Sequence, residues 1–324
     1  IGTHIIANTY LTLGYDNEVL LPAVDKLRED LRLIVAMGEN FEHSRFGTAH
    51  TQWAVENNIG FYRKDGVPAL GKKLGDVAVF VVGNGPSLDK LMPLLKGERE
   101  NAIVISCGTA LQAMYINGIV PDFHAEVESN RASFDWASRI GDKAYLKQIN
   151  FISCNGVHPD TAELYKNTYL AFKEGESSTV LMRELFPELD LPYLHFSYPT
   201  VSNLVVNYVL EMGFKQVYLF GVDLGMVDVK HHHSKSSGYY KKDGKELFNH
   251  EEQVDTSLVV PGNLRPYVNT KFEFNMSKSV IEKTLAAFSD ADVYNLNDGA
   301  KIAGSPPLEQ DALIITNSVK DKQA

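Results

Sequence analysis

The stretch V-V-G-N-G-P-S-L-D, residues 81–89, decides the fold that we predict for this chain of 324 residues. It overlaps the end of an apolar run at 77–82 that predicts a buried strand, and a helical pattern begins at Leu88. Short apolar runs and helical patterns continue to alternate as far as residue 222. Such alternation favours a mostly parallel sheet with helices on both faces, so we predict an α/β, Rossmann-like fold.

The same patterns divide the chain into three parts. Residues 1–70 form an N-terminal flanking region that is helical at 20–37 and otherwise irregular. Residues 71–310 hold the alternating strands and helices, and 311–324 form a polar C-terminal tail. Inside the middle part, the polar stretch 227–260 predicts a long loop or a lid.

The individual elements have the following predicted bounds. Strands are predicted at 77–82, 102–106, 123–127, 150–154, 168–172, 193–196 and 216–222. Helices are predicted at 87–95, 109–117, 161–166, 179–186, 202–212 and 278–288. Residues 57–75 are rich in glycine and turn residues, which is typical of a linker.

Composition narrows the classes of partner. A net charge of −10 and a pI near 5.5 argue against non-specific binding of nucleic acid or anionic membranes. No apolar run reaches the roughly 18 residues of a membrane span. The two cysteines, Cys107 and Cys154, lack metal-ligand spacing and fit buried thiols in a reducing compartment. We therefore expect a cytoplasmic protein with no nucleic-acid or membrane partner, and homo-oligomerisation stays open.

The turn after the first strand of the middle part is a candidate anion site. A glycine-rich turn between a strand and a helix leaves backbone N–H groups unpaired at the positive end of the helix dipole, where phosphate binds. Gly83 and Gly85 would let the backbone approach a ligand without a Cβ clash, and Asn84 and Ser87 belong to the same candidate site. A tight turn that binds no ligand is the alternative. The pattern is neither G-x-G-x-x-G nor G-x-x-x-x-G-K-[ST].

Two further helix starts are candidate sites, and the first would open on the same edge of the sheet as the glycine-rich turn, because the carboxyl ends of parallel strands lie together. Gly108 and Thr109 follow one predicted strand, and Thr109 also fits a simple helix N-cap. Ser202 and Asn203 begin the helix before the last strand of this series. Each of them could cap that helix or face a nucleotide.

Carboxylates also follow these strands. Glu126 and Glu128 share one face if the strand alternation holds, and either could bind sugar hydroxyls or simply form a polar strand end. Asp223 ends a buried strand, where an ionised carboxylate needs N–H groups or ligand hydroxyls as partners.

The run H-H-H at 231–233 supplies a candidate base, since an ordinary histidine pKa near 6.5 suits proton transfer near neutral pH. His231 and His233 could both face a metal in an extended segment, with Asp223 or Asp228 as a further ligand, but no second cluster has matching spacing. We therefore predict no metal site and one catalytic histidine, with the choice among the three left open.

Together these residues resemble two related enzyme families. G-N-G-P-S-L at 83–88 resembles the nucleotide-binding turn of bacterial sialyltransferases that use CMP-activated sugars. G-F-K-Q-V-Y-L-F-G-V-D at 213–223 resembles their later strand segment, and H-S-K at 233–235 resembles the motif that carries their proposed base. The motility-associated factor (Maf) glycosyltransferases are the closer match, because they also share segments like those at 260–270 and 294–304.

The resemblance covers about residues 65–310 and departs from the sialyltransferases at two points. Gly108 stands where they have Asn, and the pair of tyrosines that binds the leaving phosphate does not follow Asp223 directly. Tyr239 and Tyr240 come later and could replace that pair. These departures concern the phosphate contacts and the assignment of His233.

The resemblance implies a sialyltransferase-like variant of the GT-A fold and a specific reaction. This reaction is transfer of a nonulosonic acid, of the pseudaminic or legionaminic type, from its CMP form to Ser or Thr of flagellin, in the cytoplasm before export. The donor is CMP-nonulosonate, and no other cofactor is implied.

The mechanism that we expect is metal-independent. The turn at 83–87 and Thr109 would hold the phosphate, and Ser202, Asn203 and Asp223 would hold the nucleoside or sugar. His233 would act as the general base, and Glu126 or Glu128 would stabilise positive charge on the sugar.

Two other functions stay open. A related group with the same turn phosphorylates a pterin alcohol, and a Mg²⁺-dependent pyrophosphokinase would use the pair Glu126 and Glu128 or the pair Asp223 and Asp228. A non-catalytic flagellin-binding chaperone could also use this fold.

Overall fold

The computed structural model describes residues 17–36, 41–63, 74–241, 245–247, 255–315 and 319. The chain forms two compact units, Ile1–Gly38 and Glu39–Ala324. In the first unit, residues Asn17–Ala36 form helix α1, close to the helix predicted at 20–37. Among the described residues, no helix is both long enough and apolar enough to cross a membrane.

The second unit is built on a central sheet. In chain order, its strands are β1 (Gly60–Phe61), β2 (Ala78–Val82), β3 (Ile103–Cys107), β4 (Phe123–Glu126), β5 (Asn150–Cys154), β6 (Thr168–Lys173), β7 (Tyr193–Leu194), β8 (Gln216–Phe220), β9 (Leu258–Pro261), β10 (Tyr267–Thr270) and β11 (Asp292–Asn295). Its helices are α2 (Phe41–Glu56), α3 (Ser87–Glu98), α4 (Ala110–Ile116), α5 (Ala132–Ser138), α6 (Lys143–Leu146), α7 (Pro159–Ala162), α8 (Ser177–Leu185), α9 (Val201–Glu211) and α10 (Phe272–Ala287).

The strand order explains where a ligand can bind. Eight strands lie in the order β1-β6-β5-β4-β3-β2-β8-β11, β7 pairs with β6, and every one of these pairings is parallel. The chain runs from β2 to β6 in one direction and then returns to place β8 on the other side of β2. The boundary between β2 and β8 is therefore a topological switch point, where open α/β sheets bind ligands. The hairpin of β9 and β10 is separate and antiparallel.

Both faces of the sheet are covered, as the apolar runs predict. All five residues of β2 are buried. Val79 and Val81 pack in one apolar cluster with α9 and α10, whereas Phe80 and Val82 pack in a second cluster with α3 and α4. Because alternate side chains of a strand point to opposite faces, a strand buried on both sides needs an unbroken apolar run. The predicted α/β, Rossmann-like fold is confirmed.

Several predicted bounds need correction. Residues 60 and 61, predicted as part of a linker, form β1 and pair with β6, while 64–73 lie outside the described residues. The helix predicted at 161–166 is the short α7, and the strand predicted at 193–196 ends at Leu194. The end of the predicted lid, at 258–260, belongs to strand β9.

The boundary predicted at residue 70 falls inside the second compact unit. Helix α2 contributes the fully buried Ala54 to an apolar cluster with Phe151 and Tyr165. Near the other end, Leu313 and Ile315 pack against the cluster on the α3 face. Most of the predicted tail, at 316–318 and 320–324, lies outside the described residues.

Candidate active site

The loops after β2 and β8 cross in direct contact. The amide of Gly83 donates to the carbonyl of Phe220, and the amide of Gly85 donates to the carbonyl of Gly221, both at 2.7 Å. A Cβ atom on Gly83 would lie 2.5 Å from the carbonyl oxygen of Gly221. These glycines therefore allow the two loops to pack, rather than the approach of a ligand that the sequence suggested.

The carboxylate of Asp223, in the loop after β8, caps the N-terminus of α3. It accepts a hydrogen bond from the Ser87 amide at 3.2 Å and one from the Ser87 hydroxyl at 2.5 Å. The same hydroxyl accepts from the amide of Asp298 at 2.8 Å. The amides of Gly83, Gly85 and Ser87 therefore already have partners in the protein, and these three are not available to a phosphate at the turn predicted from the sequence.

The environment of Asp223 changes its charge. Burial, the largest cause, and the nearby carboxylates of Asp298 and Asp89 together raise the pKa of its carboxyl to about 7, against the two hydrogen bonds from Ser87, which lower it. The group is therefore partly protonated near neutral pH.

A cavity of about 500 Å³ lies at the carboxyl ends of β2, β3, β4 and β8. Most of the site residues predicted from the sequence line it: Gly83, Asn84, Gly85, Gly108, Thr109, Glu126, Glu128, Ser202, Asp223 and His233. Ser87 and Asn203 are not among the lining residues. The strand-end argument thus brings together residues that are far apart in the chain.

Asn203 supports the site from behind. It is fully buried, its Nδ2 donates to the carbonyl of Ser277 at 2.9 Å, and its Oδ1 accepts from the Ser277 hydroxyl at 2.6 Å. It also forms a capping box with Thr200 at the start of α9. Asn203 therefore fixes the N-terminus of α9 against α10.

The N-terminus of α9 opens on the cavity, because Thr200, Val201 and Ser202 line it. The positive end of the helix dipole favours an anion there. Across the cavity, Asn84 Nδ2 donates to the Thr109 hydroxyl at 2.8 Å. The Asn84 side-chain oxygen is buried and has no hydrogen-bond partner among the residues that the structure describes, so a ligand donor could satisfy it.

The carboxylates behave differently from one another. Glu126 is buried at the end of β4, and its Oε1 lies 3.2 Å from His124 Nε2. His124 Nδ1 in turn lies 2.8 Å from the Ser106 hydroxyl. Glu128 is exposed at the cavity rim. The contact between His124 and Glu126 was not predicted from the sequence, although their i, i+2 spacing places both side chains on one face of the strand.

The three consecutive histidines have separate environments. His231 is half exposed and faces the Asp228 carboxylate at 2.8 Å. His232 and His233 line the cavity and make a hydrogen bond between their Nδ1 atoms. Since Asp228 binds His231 outside the cavity, it does not form the carboxylate pair with Asp223 that a pyrophosphokinase could have used.

The histidine segment is anchored to the first turn of the site. The Ser234 hydroxyl donates to Asp89 at 2.5 Å, and the Ser234 amide donates to the carbonyl of Asn84 at 2.9 Å. The amide of Lys235 donates to the same Asp89 carboxylate at 3.1 Å. Because α3 holds Asp89, these bonds fix the segment that places His232 and His233 in the cavity wall.

An aromatic stack completes this wall. The ring of His233 lies 3.9 Å from the ring of Tyr239 at an interplanar angle of 10°, and Tyr239 lies 5.1 Å from Trp136. Tyr239 also makes a hydrogen bond with Thr109. Tyr239, considered above as a replacement for the missing tyrosine pair, therefore lies in the cavity, whereas Tyr240 packs against His232.

The charge of the cavity is unusual for a site that would bind phosphate. Its described lining includes the carboxyls of Glu126, Glu128 and Asp223 but no Lys or Arg. An anion there would be held by helix and amide dipoles and by neutral side chains. In the described part of the chain, no group of three His, Cys, Asp or Glu side chains is placed to hold a metal ion.

Comparison with known proteins agrees with this architecture. Residues 55–229 match the model of a family described as MptE-like, 6-hydroxymethylpterin diphosphokinase MptE-like, and the match spans more than half of the chain. The chain belongs to the MptE-like family. In this MptE-like chain, the matched region includes Asp223 but ends before the run of three histidines. None of the curated proteins matches it.

A solved structure of the MAf glycosyltransferase from Magnetospirillum magneticum AMB-1 also resembles this MptE-like chain. The two share 24% sequence identity and a TM-score of 0.69, over 94% of this chain and 44% of that one. The likeness confirms the expected resemblance to Maf proteins in the fold. The MptE-like chain spans less than half the length of that protein.

Proposed function

We propose that this chain is a glycosyltransferase that moves a nonulosonic acid, of the pseudaminic or legionaminic type, from its CMP form to Ser or Thr hydroxyls of flagellin in the cytoplasm. The observation that carries the proposal is that His233 and the N-terminus of α9 line one cavity at the switch point. Transfer from a phosphate-activated sugar to a hydroxyl needs a base and a site for negative charge. The likeness in fold to the MAf glycosyltransferase supports this class of reaction.

The donor would be held mainly by dipoles. Its phosphate and carboxylate would lie near the start of α9, beside Ser202, with Asn84 and Thr109 on the opposite wall. The amide dipoles of α9 are fixed before the donor arrives, so they need no reorganisation as charge develops on the leaving phosphate. Asp223, whose pKa is raised to about 7, adds little negative charge when it is protonated.

His233 would take the proton of the acceptor hydroxyl as the oxygen attacks the anomeric carbon. The bond from that carbon to the phosphate oxygen breaks, and CMP leaves with the bonding electrons. The transition state has oxocarbenium character, as in glycoside hydrolysis, so the carboxylates of Glu126 and Glu128 would stabilise it. Proton transfer by a positioned base contributes about 10²–10⁴ in rate.

Donor hydrolysis tests the proposal directly. We expect the chain to release CMP from CMP-nonulosonate and to do so equally with and without EDTA. His233→Ala should keep CMP binding and lose transfer, whereas His231→Ala, a matched control whose ring faces Asp228 outside the cavity, should keep both. Absence of CMP release by the wild-type chain would overturn the proposal, and full transfer by His233→Ala would remove that residue from the mechanism.

A second candidate is Mg²⁺-dependent diphosphoryl transfer to a pterin alcohol. The family description and the presence of Glu126 and Glu128 in the cavity favour it. This carboxylate pair would leave most of the six oxygen positions around Mg²⁺ to water and substrate phosphates, a common arrangement for this ion. Turnover that requires ATP and stops with EDTA would support this function, and capture of flagellin without any turnover would support a chaperone.

A further inference from the structure

We propose that Glu246 is a positioning residue that acts through His232 to fix the tautomer of His233, so that Nε2 of His233 is the atom that accepts the proton. The inference rests on the proposed role of His233 as a base. Glu246 was not among the site residues predicted from the sequence, and His232 was considered there only as one of three possible bases.

The three side chains form a continuous chain of contacts. Glu246 Oε1 lies 3.1 Å from His232 Nε2, and His232 Nδ1 bonds to His233 Nδ1. The His232 side chain is only 2% exposed, so its polar contacts are made inside the protein. His233, at the other end, lines the cavity.

The backbone holds Glu246 in this position. Residues Tyr240 and Glu246 form an antiparallel bridge. Beside it, the Lys241 amide donates to the carbonyl of Lys245 at 2.7 Å, and the Leu247 amide donates to the carbonyl of Tyr239 at 2.8 Å. Tyr239, which stacks on the ring of His233, belongs to the same paired segment as Glu246. This segment therefore positions both the carboxylate and the aromatic ring that packs on the base.

The contacts determine which nitrogens carry protons. An ionised carboxylate only accepts hydrogen bonds, so His232 must present Nε2–H to Glu246. Neutral His232 then has its lone pair on Nδ1 and accepts a hydrogen bond there. His233 must therefore donate from Nδ1–H, and its own lone pair is on Nε2.

The proton transfer balances with this arrangement. The acceptor hydroxyl gives its proton to His233 Nε2, its oxygen bonds to the anomeric carbon, and CMP leaves with the electrons of the broken bond. His233 becomes an imidazolium whose Nδ1–H still faces His232. The negative charge of Glu246, relayed through His232, stabilises that cation as it forms.

The surrounding charges are consistent with a neutral His232. Burial lowers the pKa of His232, Glu246 raises it, and the cation of Lys271 and the ring of His231 lower it, with a lowered pKa as the result. On the other side of His233, Tyr239 lies within the fields of Glu126 and Glu273. Glu246 touches the histidine pair directly, through its contact with His232.

Glu246→Gln in the full chain tests the proposal, with transfer from CMP-nonulosonate to flagellin measured across a pH series. We expect kcat to fall about 100-fold, within the range of positioned proton transfer, and KM for the donor to stay within about two-fold. The acid limb of the kcat profile should move to lower pH, because loss of the carboxylate makes His233 easier to deprotonate. Glu246→Asp, which keeps the charge, should recover part of kcat.

Asp228→Asn is the matched control, since Asp228 forms the same kind of carboxylate–histidine contact at the surface of the same segment. It should leave kcat and the pH profile unchanged. If Glu246→Gln behaves like this control while the wild-type chain is active, the proposal is overturned.

A spectroscopic measurement separates this proposal from the proposed function. Imidazole ¹⁵N spectra of the wild-type chain should show His233 protonated at Nδ1 and His232 at Nε2. Glu246→Ala, which removes the acceptor of the His232 Nε2–H, should change this pattern. A wild-type His233 protonated at Nε2 instead would refute the relay whether or not CMP is released. Failure of CMP release with the expected tautomers would refute only the glycosyltransferase.

Discussion

The wild-type chain should lose stability as the pH rises, and replacing Asp223 with Asn should remove this loss. The ordinary pKa of this carboxyl is 3.8, and burial raises it to about 7 in the folded chain. Between these values the folded chain keeps a proton that the unfolded chain has released. The contribution of the protonated carboxyl to stability is therefore complete below pH 3.8 and is lost as the pH rises to about 7. The difference, 7 − 3.8, is about three pKa units, which at 1.36 kcal/mol per unit corresponds to about 4 kcal/mol.

The assay is urea unfolding of the wild-type chain and Asp223→Asn over a pH series. Other titrating groups are present in both proteins, so the difference between the two unfolding free energies isolates position 223. An offset from altered hydrogen bonds to Ser87 would not depend on pH, because neither the Asn amide nor the Ser87 hydroxyl titrates in this range. We expect the wild-type chain to lose about 4 kcal/mol relative to the variant across this window. A difference that stays constant within about 1 kcal/mol would refute the buried, proton-retaining carboxyl.

Three further predictions concern the same framework. Gly221→Ala should lower the unfolding free energy by more than about 2 kcal/mol in urea, because φ is +63° and the new Cβ would overlap a backbone carbonyl of the facing loop. Gly97→Ala is the control, because Gly97 lies in α3 with open space around its Cβ position, and it should not destabilise the chain. Asn203→Ala should lower the unfolding free energy by about 1–3 kcal/mol in the same assay, because it leaves its buried hydrogen-bonding partners unsatisfied. An unchanged unfolding midpoint would contradict this. Cys107 and Cys154 should react with a thiol reagent only after unfolding, because burial raises the pKa of both, that of Cys154 to about 12; rapid reaction of the native chain would contradict this.

The central strands were predictable because they are buried on both faces. The strand at 150–154 has the same bounds in the structure, and its apolar residues lie in the core. The hairpin of β9 and β10 was missed because Val259 and Tyr267 are exposed, so the period-two signal is weak there. Helix α5 was not predicted, because its sequence, A-S-F-D-W-A-S, is short and has no clear apolar stripe.

The candidate site was predictable only as far as the rule that parallel strands end at one edge. That rule gathered Asn84, Glu126 and Asp223 correctly around one cavity. It could not give the contact between His232 and Glu246, which lie 14 residues apart, because neither residue directly follows a strand of the central sheet. It also could not tell that the partner of Gly85 is the protein itself, since a glycine permits close approach by any group.

The two helix N-termini near the switch point explain how an acidic cavity can still hold an anionic donor. At the start of α3, the Asp223 carboxyl already binds the Ser87 amide, so a second anion there would meet a like charge whenever Asp223 is ionised. At the start of α9, the capping groups Thr200 and Asn203 are neutral, and the dipole acts on the cavity without opposition from a capping charge. The negative groups of the donor should therefore bind at α9 rather than at the glycine-rich turn, and more tightly below pH 7 than above it, because Asp223 then retains its proton.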